Sequence, residues 1–298
     1  MSEPLPWTAE MKIRIATLLL LVFSLPLSAP GETPQSQAAK TRVAVYSDLG
    51  TGRSLDDLLA ILEQTKWLHV EKITAEDVRN GALDRFNAVI HPGGSGSKQG
   101  AQLGEDGREA VRCFVRGGGG YIGLCAGAYL ASADYPWSLH ILDAKVLDRK
   151  HWARGTGTVQ VGLSDEGRRI LGVAGGSVAI YYGQGPLLAP AADPEIPDYF
   201  ALGTYESEIA KNGAPTGVMV GTTAIAAGRY GRGRVFCFSP HPEKTAGLES
   251  FVAQAITWVT ETPAAAAFIP ARRLRRTALE ANPAAGPRRP GRRRDSGQ

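Results

Sequence analysis

Short apolar, β-prone runs alternate with helix-like segments through the first half of the chain, and this alternation restricts the possible folds more than any other feature. Four runs are predicted strands: RVAVYS (42–47), HVEKIT (69–74), FNAVIH (86–91) and YIGLC (121–125). Strands that alternate with helices predict parallel βαβ units and a sheet covered by helices on both faces. In such sheets, functional sites form at the carboxyl ends of the strands.

The segments between these strands are predicted helices, over SLDDLLAILEQ (54–64), EDVRNGAL (76–83) and EDGREAVRCFVR (105–116). The first of them has apolar residues at helical spacing. Ser54 is expected to be its N-cap, with Asp56 and Asp57 in the first turn.

From residue 140 to residue 240 the pattern changes to a series of strand-like pieces. These are GTVQVGL (157–163), SVAIYYG (177–183), YFALGTY (199–205), GVMVGTTAIAAGRYG (217–231) and RVFCFSPH (234–241). Residues 230–234 predict a tight hairpin turn between the last two pieces. We therefore expect an antiparallel extension of the same sheet, closed by a helix over 246–259.

Composition indicates a globular domain with a basic tail. At 298 residues and 43% hydrophobic residues the chain can bury a sizeable core. Its formal charge of +4 arises in residues 270–298, which contain nine Arg against Glu280 and Asp295, so the remainder is slightly acidic. A body that wraps nucleic acid is not indicated, and no nucleic-acid partner is expected. Ala, Pro and Arg dominate the end of the chain, which predicts a disordered tail over 263–298.

An export signal is predicted over residues 1–29. The basic residues Lys12 and Arg14 precede an apolar run from residue 15 to about residue 27. The small residues Ser28 and Ala29 follow that run. The run is too short to span a bilayer comfortably, so we expect no transmembrane segment in the mature form. The predicted location is periplasmic or secreted, with a spacer over 30–40.

Two further points concern this N-terminal segment. Glu3 and Glu10 suit a signal peptide badly, which makes Met11 the expected true start. The alternative to a signal is a buried N-terminal helix, against which Pro26 and Pro30 argue because they break the pattern.

The number of cysteines and their predicted structural settings limit the roles that they can have. An odd number excludes a full disulfide framework in an exported chain, so at least one thiol is free or reactive. Cys113 lies on a predicted helix and Cys237 in an apolar strand, and a buried structural role is expected for both. A disulfide between them is left open.

Cys125 has a different setting, in YIGLCAGAY (121–129) after four consecutive glycines. A strand, a sharp turn and a helix are predicted there. A side chain at such a turn projects beyond the end of the sheet, and neighbouring glycines are needed because a Cβ would collide with the strained backbone. Cys125 is therefore the candidate nucleophile, and it needs a base.

His241 is the best candidate for that base. It lies in FSPHPEKT (238–245), just after an apolar strand, and Glu243 follows two residues later. Residues two apart in an extended segment project to the same side, so Glu243 can orient the ring of His241. No catalytic role is expected for the other four histidines. His69 is predicted to lie at the surface, and His140 and His151 are predicted to be solvated. His91 is predicted to border the site with a mainly structural role.

A place for the oxyanion is predicted in HPGGSGS (91–97), which follows the third strand. Its glycines allow a substrate carbonyl to approach backbone amides closely. Gly94 is the expected first donor, and the amide of Ala126, directly after the nucleophile, is the expected second donor.

Taken in chain order, PGG after a strand, GLCAG at a turn and HPE after a late strand resemble the class I glutamine amidotransferase superfamily. Within it, GGGGYIGLCAGAYLAS (117–132) together with YYGQGP (181–186) most resembles the BPL_N family, named for the N-terminal domain of eukaryotic biotin-protein ligases. The resemblance covers about residues 41–260 and implies one domain over 41–262. The implied fold is a flavodoxin-like three-layer α/β sandwich with a mainly parallel sheet and an antiparallel extension.

The resemblance also implies roles for individual residues. Cys125 is at the family's nucleophile position, His241 and Glu243 are at its base pair, and Gly93 and Gly94 are at its oxyanion turn. YYGQGP would border the substrate pocket, through Tyr182 and Gly183. The chain has no synthase domain, and Ala126 to Tyr129 follow the cysteine where a glutaminase commonly has a glutamine. These two departures argue against glutaminase activity, and hydrolysis of an amide or related acyl bond is the expected reaction.

Two classes of function remain open after these observations. One is a cysteine hydrolase acting on a small-molecule or peptide amide, and the other is a catalytically degenerate module that binds such a ligand in the same cleft. A third interpretation is a subunit that is regulated by a partner, and the only sequence feature that supports it is the basic tail. No cofactor is expected: GGGYIG (118–123) precedes a strand where a dinucleotide motif would follow one, and no HExxH or CxxC motif suggests a metal. The oligomeric state is open.

Overall fold

The computed structural model describes residues 40–261. The chain divides into two units, residues 1–39 and 40–298, and the described residues all belong to the second. The predicted signal, the spacer up to residue 39 and the predicted tail lie outside the described residues. None of the helices within residues 40–261 combines the length and the hydrophobicity that a membrane span requires.

Strands and helices alternate through residues 41–131, as predicted. The strands are β1 (Thr41–Tyr46), β2 (Leu68–Ile73), β3 (Ala88–His91) and β4 (Gly120–Leu124), and the helices are α1 (Ser54–Gln64), α2 (Ala75–Arg79), α3 (Gly96–Arg116) and α4 (Ala126–Ala131). A short 3-10 helix follows α2 over Ala82–Arg85.

Most elements of the second half are strands. They are β5 (Ala144–Leu147), β6 (Thr156–Leu163), β7 (Ser177–Gly183), β8 (Leu187–Pro190), β9 (Phe200–Tyr205), β10 (Thr223–Tyr230) and β11 (Gly233–Phe238). The helices here are α5 (Asp165–Leu171) and α6 (Ser250–Thr260), with 3-10 helices over Arg149–His151 and Pro242–Lys244. β5 and β8 are short and had not been predicted.

All of these strands join one sheet with the order β2-β1-β3-β4-β11-β10-β9-β6-β7, and β8 pairs with both β10 and β5. The pairs from β2 to β11 are parallel, and the pairs from β11 onward are antiparallel. The parallel part has the strand order of flavodoxin-like folds. The expected parallel sheet with an antiparallel extension is confirmed.

Helices cover both faces of this sheet. Alternate residues of β1 face opposite sides, so that Val43 and Val45 join one buried cluster while Ala44 and Tyr46 join the other. α1, α5 and α6 contribute to the first cluster and α2, α3 and α4 to the second. Burying one Leu or Val side chain contributes roughly 1.5–3 kcal/mol, so two such clusters hold the three layers together. The three-layer sandwich is confirmed.

Glycines in left-handed backbone account for three wrong boundaries. The predicted strand over 217–231 begins only at Thr223, because Gly217 and Gly221 have φ of 78° and 80° and form turns. The helix predicted from residue 246 begins at Ser250, after Gly247 at φ 85°. The helix predicted over 76–83 is interrupted at Gly81, also at positive φ.

The starts of α1 and α3 also differ from prediction. Arg53 is the N-cap of α1, and Ser54 is its first helical residue, buried with a hydroxyl that has no partner among the described residues. α3 begins at residue 96 because the hydroxyl of Ser95 accepts from the amide of Lys98 (3.4 Å). The helix continues through a kink at Gly104, whose φ of 67° hid its first part from pattern analysis.

The cysteines correct another prediction. Cys237 is buried in β11 as expected, but Cys113 is exposed on α3, because it lies on the outer face of that helix. Both are free thiols, as is Cys125, so no disulfide joins Cys113 and Cys237.

Candidate functional site

The carboxyl ends of three neighbouring parallel strands define the site. β3, β4 and β11 run side by side in register, with His91 opposite Gly123 and Phe238 opposite Leu124. The segments that leave these strands therefore meet at one edge of the sheet. Sequence analysis had placed the oxyanion turn, the nucleophile and the base on these same three segments.

Cys125 lies on a strained elbow between β4 and α4. Its φ of 50° and ψ of −95° are unusual for a residue with a Cβ, and its amide donates to the carbonyl of Phe238 (2.8 Å). A Cβ on Gly123 would lie 2.5 Å from the backbone of Gly127, and a Cβ on Gly127 would lie 2.1 Å from the carbonyl oxygen of His91. The elbow thus requires both glycines that frame the cysteine, as the sequence suggested.

The side chain of Cys125 is buried and turns toward β7. Its thiol donates to the carbonyl oxygen of Gly183 (3.5 Å). A Cβ on Gly183 would lie 2.7 Å from Nε2 of His241. The end of β7 therefore touches both side chains, and its glycine leaves the space in which the thiol and the imidazole meet.

His241 and Glu243 form a buried pair, with Nδ1 of the ring 2.6 Å from Oε1 of the carboxylate. The amide of His241 donates to the carbonyl of Tyr181 (2.8 Å), which ties the turn to β7. The sequence predicted an extended backbone from His241 to Glu243, which would place both side chains on the same side. Instead, Pro242 starts a 3-10 helix directly after His241, and Glu243 reaches back to the ring from that helix.

The electrostatics of this pair favour an imidazolium. Burial lowers the pKa of His241, but the charge of Cys125 and its hydrogen bonding, followed by those of Glu243, outweigh it and raise that pKa to about 10. An imidazolium beside a cysteine favours the nucleophilic thiolate. The arrangement can therefore supply a nucleophile, a proton carrier and an orienting carboxylate.

The glycine turn after β3 packs directly against the imidazole. A Cβ on Gly93 would lie 2.8 Å from Cε1 of His241, and the carbonyl of Gly93 accepts from the amide of Gly52 (2.8 Å). Gly94 has φ of 138°, and a Cβ there would lie 2.1 Å from the carbonyl oxygen of Gly50. On the other side, the amide of Ala126 belongs to the first turn of α4, where helical amides have no acceptor within the helix.

Tyr182 is not where the sequence placed it, since its side chain is buried in the core and does not line the cleft. Its hydroxyl donates to the carbonyl of Gly185 (2.8 Å), and burial raises its pKa. The neighbouring Tyr181 instead faces His241, with ring centroids 6.0 Å apart, and carries Lys244 over its ring at 5.0 Å. Strand alternation explains the exchange, because Tyr181 and Gly183 share one face of β7.

Three other residues near the site were missed by the sequence reasoning. The hydroxyl of Ser54 lies 2.7 Å from the Cβ position of Gly93, close to the imidazole. The hydroxyl of Tyr129 donates to the carbonyl of Gln184 (3.3 Å). Arg154 is buried beside the end of β7. Alternation or helical spacing signalled none of them, because tertiary packing alone brings them to the site.

His91 is structural, as expected. Its ring is stacked between Tyr46 at 4.8 Å and Tyr121 at 5.5 Å, and its Nδ1 lies 3.1 Å from Oε1 of Gln99. Burial lowers its pKa to about 4, while the hydrogen bond to Gln99 opposes that shift. The ring is therefore held neutral in the core behind the site.

The remaining histidines are removed from this chemistry. His69 is exposed and pairs with Glu71, as a surface residue would. His140 and His151 were expected to be solvated, but they are partly buried and bound to the carbonyl of Tyr135 (2.9 Å) and to Asp148 (2.6 Å). Within residues 40–261, no three His, Cys, Asp or Glu residues are grouped to hold a metal ion.

Comparison with known protein families finds a match over nearly all of the described residues. Residues 41–262 match the family described as biotin-protein ligase, N terminal. No curated protein matches the chain in sequence.

Several solved structures are similar to part of the chain, at low sequence identity. A glutamine amidotransferase is 19% identical, with 72% of this chain and 98% of that chain covered and a TM-score of 0.48. The cytoplasmic protein STM3548 from Salmonella typhimurium is 10% identical, with 74% and 98% covered and a TM-score of 0.47. The β-galactosidase from Bacillus circulans sp. alkalophilus is 13% identical, with 73% of this chain but 31% of that chain covered and a TM-score of 0.48.

Proposed function

The chain belongs to the family described as biotin-protein ligase, N terminal. From the geometry around its elbow, we propose that it is a cysteine-dependent hydrolase of an amide or related acyl bond. One observation carries the proposal. Cys125 occupies a strained turn at the end of β4, and a buried imidazole and carboxylate, His241 and Glu243, lie beside it. This is the order of nucleophile, base and orienting group that acyl transfer uses.

In the proposed reaction, the S–H proton of Cys125 passes to His241 and Sγ attacks the carbonyl carbon, so that a C–S bond forms and the π electron pair of the C=O bond moves to oxygen. Amides of Gly94 and Ala126 would donate to this oxyanion. His241 gives its proton to the leaving nitrogen as the C–N bond breaks, which leaves a thioester. Water then attacks the thioester, His241 takes a proton from it, and the carboxylic acid leaves as the sulfur is released.

The substrate in this proposal is a small-molecule or peptide amide. The buried position of Cys125, which is 5% exposed, supports a compact acyl group better than a folded protein chain.

Hydrolysis can be tested with a panel of acyl derivatives that release 7-amino-4-methylcoumarin, together with primary amides that release ammonia. We expect turnover by the native protein and loss of turnover in Cys125→Ala. Cys113→Ala, at an exposed position on α3, is the matched control and should keep full activity. Full hydrolytic activity in Cys125→Ala would overturn the mechanism.

A second candidate is a binding module that holds the same class of ligand without turnover. The observation that favours it is the thiol of Cys125, which is buried and already bound to the carbonyl of Gly183. Ligand binding by the native protein without product release would support this candidate.

Export is a separate proposal that rests on the N-terminal sequence. The basic residues Lys12 and Arg14 and the following apolar run are the support for it. A fusion of residues 1–40 to alkaline phosphatase, which is active only after export, tests it. Enzyme activity is expected from the fusion and not from a variant with Leu18 to Leu21 replaced by Asp, and an inactive native fusion would contradict export.

A further inference from the structure

A buried arginine beside the site has no place in the reaction described above. Arg154 is 1% exposed, and its Nη2 forms an ion pair with Oδ2 of Asp148. Its Nη1 is shielded from solvent and has no hydrogen-bond partner among residues 40–261. A buried donor without an acceptor costs about 1–3 kcal/mol, and more when it is charged, so this half of the guanidinium calls for an explanation.

Arg154 lies next to the part of β7 that touches the nucleophile. Thr156, two residues later, pairs with Gly183, whose carbonyl accepts from the thiol of Cys125. The adjoining Gln184 accepts from the hydroxyl of Tyr129. The arginine therefore flanks the end of the same strand that borders the cleft.

Arg154 and Cys125 both affect the pKa values of the same two tyrosines, Tyr129 and Tyr182. Burial raises the pKa of Tyr129 and of Tyr182, and Cys125 raises both further, whereas the positive charge of Arg154 lowers both. The guanidinium and the sulfur are thus both near the same pair of rings. A buried positive charge therefore lies near two of the tyrosines that are also close to the nucleophile.

A purely structural role explains this arrangement poorly. The backbone around Arg154 is held without its side chain, since the amide of Lys211 donates to its carbonyl (2.8 Å) and Asn212 donates to the carbonyl of Ala153 (2.8 Å). A buried ion pair adds little stability relative to apolar residues of similar size. Asp148 also has a second partner besides Arg154, because its Oδ1 binds His151.

We propose that Arg154 binds a carboxylate on the acyl part of the substrate, so that the cleft selects amides of dicarboxylic acids over neutral amides. This inference rests on the proposed function, because only a hydrolase would treat the ligand as a substrate. The binding itself does not require turnover. Arginine presents its nitrogens as a planar fork that matches a carboxylate. Asp148 holds one side of the fork, and the ligand's carboxylate would bind the side that is unpaired.

Binding is measured in the Cys125→Ala protein, where chemistry is blocked, by isothermal titration calorimetry. The probes are the monoamides of succinic, glutaric and adipic acids, each against its diamide. We expect at least one monoamide to bind about tenfold or more tightly than its diamide, as a charge-assisted hydrogen bond allows. Equal affinities within every pair, or no binding of any monoamide, would overturn the proposal.

The arginine is then tested in the same background. Arg154→Met combined with Asp148→Asn removes both charges together, so that no unpaired carboxylate is left in the core. It should abolish the preference while leaving the affinity for the diamide unchanged. If this variant does not fold, Arg154→Lys keeps the charge without the fork and should reduce the preference. Arg149→Gln, at an exposed position, is the control. A preference that persists without Arg154 contradicts the assignment.

Activity separates this inference from the proposed function. A preference for the monoamide without turnover by the native protein would support the arginine site and reject the hydrolase. Turnover of neutral amides as fast as of their acidic counterparts would support the hydrolase and reject the arginine site.

Discussion

Glu243 lies 2.6 Å from Nδ1 of His241, and both side chains are buried beside the elbow that carries Cys125. The carboxylate fixes the ring so that Nε2 faces Gly183, the residue whose carbonyl binds the thiol. Burial alone would lower the pKa of His241, whereas Cys125 and Glu243 beside the ring raise it. The pair is the feature that distinguishes a reactive cysteine from a merely buried one.

The role of Glu243 is tested by Glu243→Gln, which preserves shape but removes the charge. We expect the rate of acyl hydrolysis to fall at least about tenfold, because positioned acid–base groups contribute about 10²–10⁴ to such rates. Glu249→Gln, at an exposed position six residues later, should leave the rate unchanged. Equal rates for native protein and Glu243→Gln would show that the carboxylate does not orient His241.

The packing of the elbow is tested by Gly127→Ala. The new Cβ would lie 2.1 Å from the carbonyl oxygen of His91, so α4 must move away from β3. Overpacking of this kind costs about 1–3 kcal/mol, which lowers the melting temperature by roughly 2–12 °C in a domain of this size. In the matched variant Gly175→Ala the nearest atom is 3.8 Å away, and no comparable loss is expected. Calorimetry that finds the two variants equally stable would contradict the packing.

The neutral state of His91 predicts acid sensitivity. The unfolded histidine takes up a proton below its ordinary pKa of 6.5, whereas the folded one does so only near 4. The unfolded state therefore binds more protons between these values, and the stability from His91 is lost as pH falls from about 6.5 to about 4, by on the order of 3 kcal/mol.

The measurement for this prediction is urea unfolding at pH 5 and pH 7.5. His91→Phe keeps an aromatic ring between Tyr46 and Tyr121 but cannot titrate, so its stability should change less between the two pH values than that of the native protein. His69→Phe, at an exposed position, is the control. The same pH dependence in native protein and His91→Phe would show that His91 is not held neutral.

Much of the architecture could be predicted because local pattern and global fold agree. The alternation of apolar runs with helices predicted the parallel sheet, and the glycines around Cys125 predicted the elbow, since steric collision admits few alternatives there. The spacing of His241 and Glu243 predicted their contact, although a 3-10 turn produces it.

The rest depended on packing between distant segments. β5 and β8 have four residues each, too few to show a period. Tyr182 was assigned to the cleft because a motif names positions and not the face on which a side chain lies. The buried charge of Arg154 had no local signal either, since only the fold brings this residue to the end of β7.

The central claim is that Cys125 is activated by His241, and the most direct measurement is the rate of iodoacetamide alkylation at each cysteine against pH, followed by peptide mass spectrometry. The other cysteines are internal references. The hydrogen bond from Cys113 to Glu109 raises the pKa of that exposed thiol, and burial raises the pKa of Cys237. We expect Cys125 alone to react quickly below pH 7 in the native protein and to lose that advantage in His241→Ala. A Cys125 that titrates like an ordinary thiol, or that reacts equally fast without His241, would contradict the account.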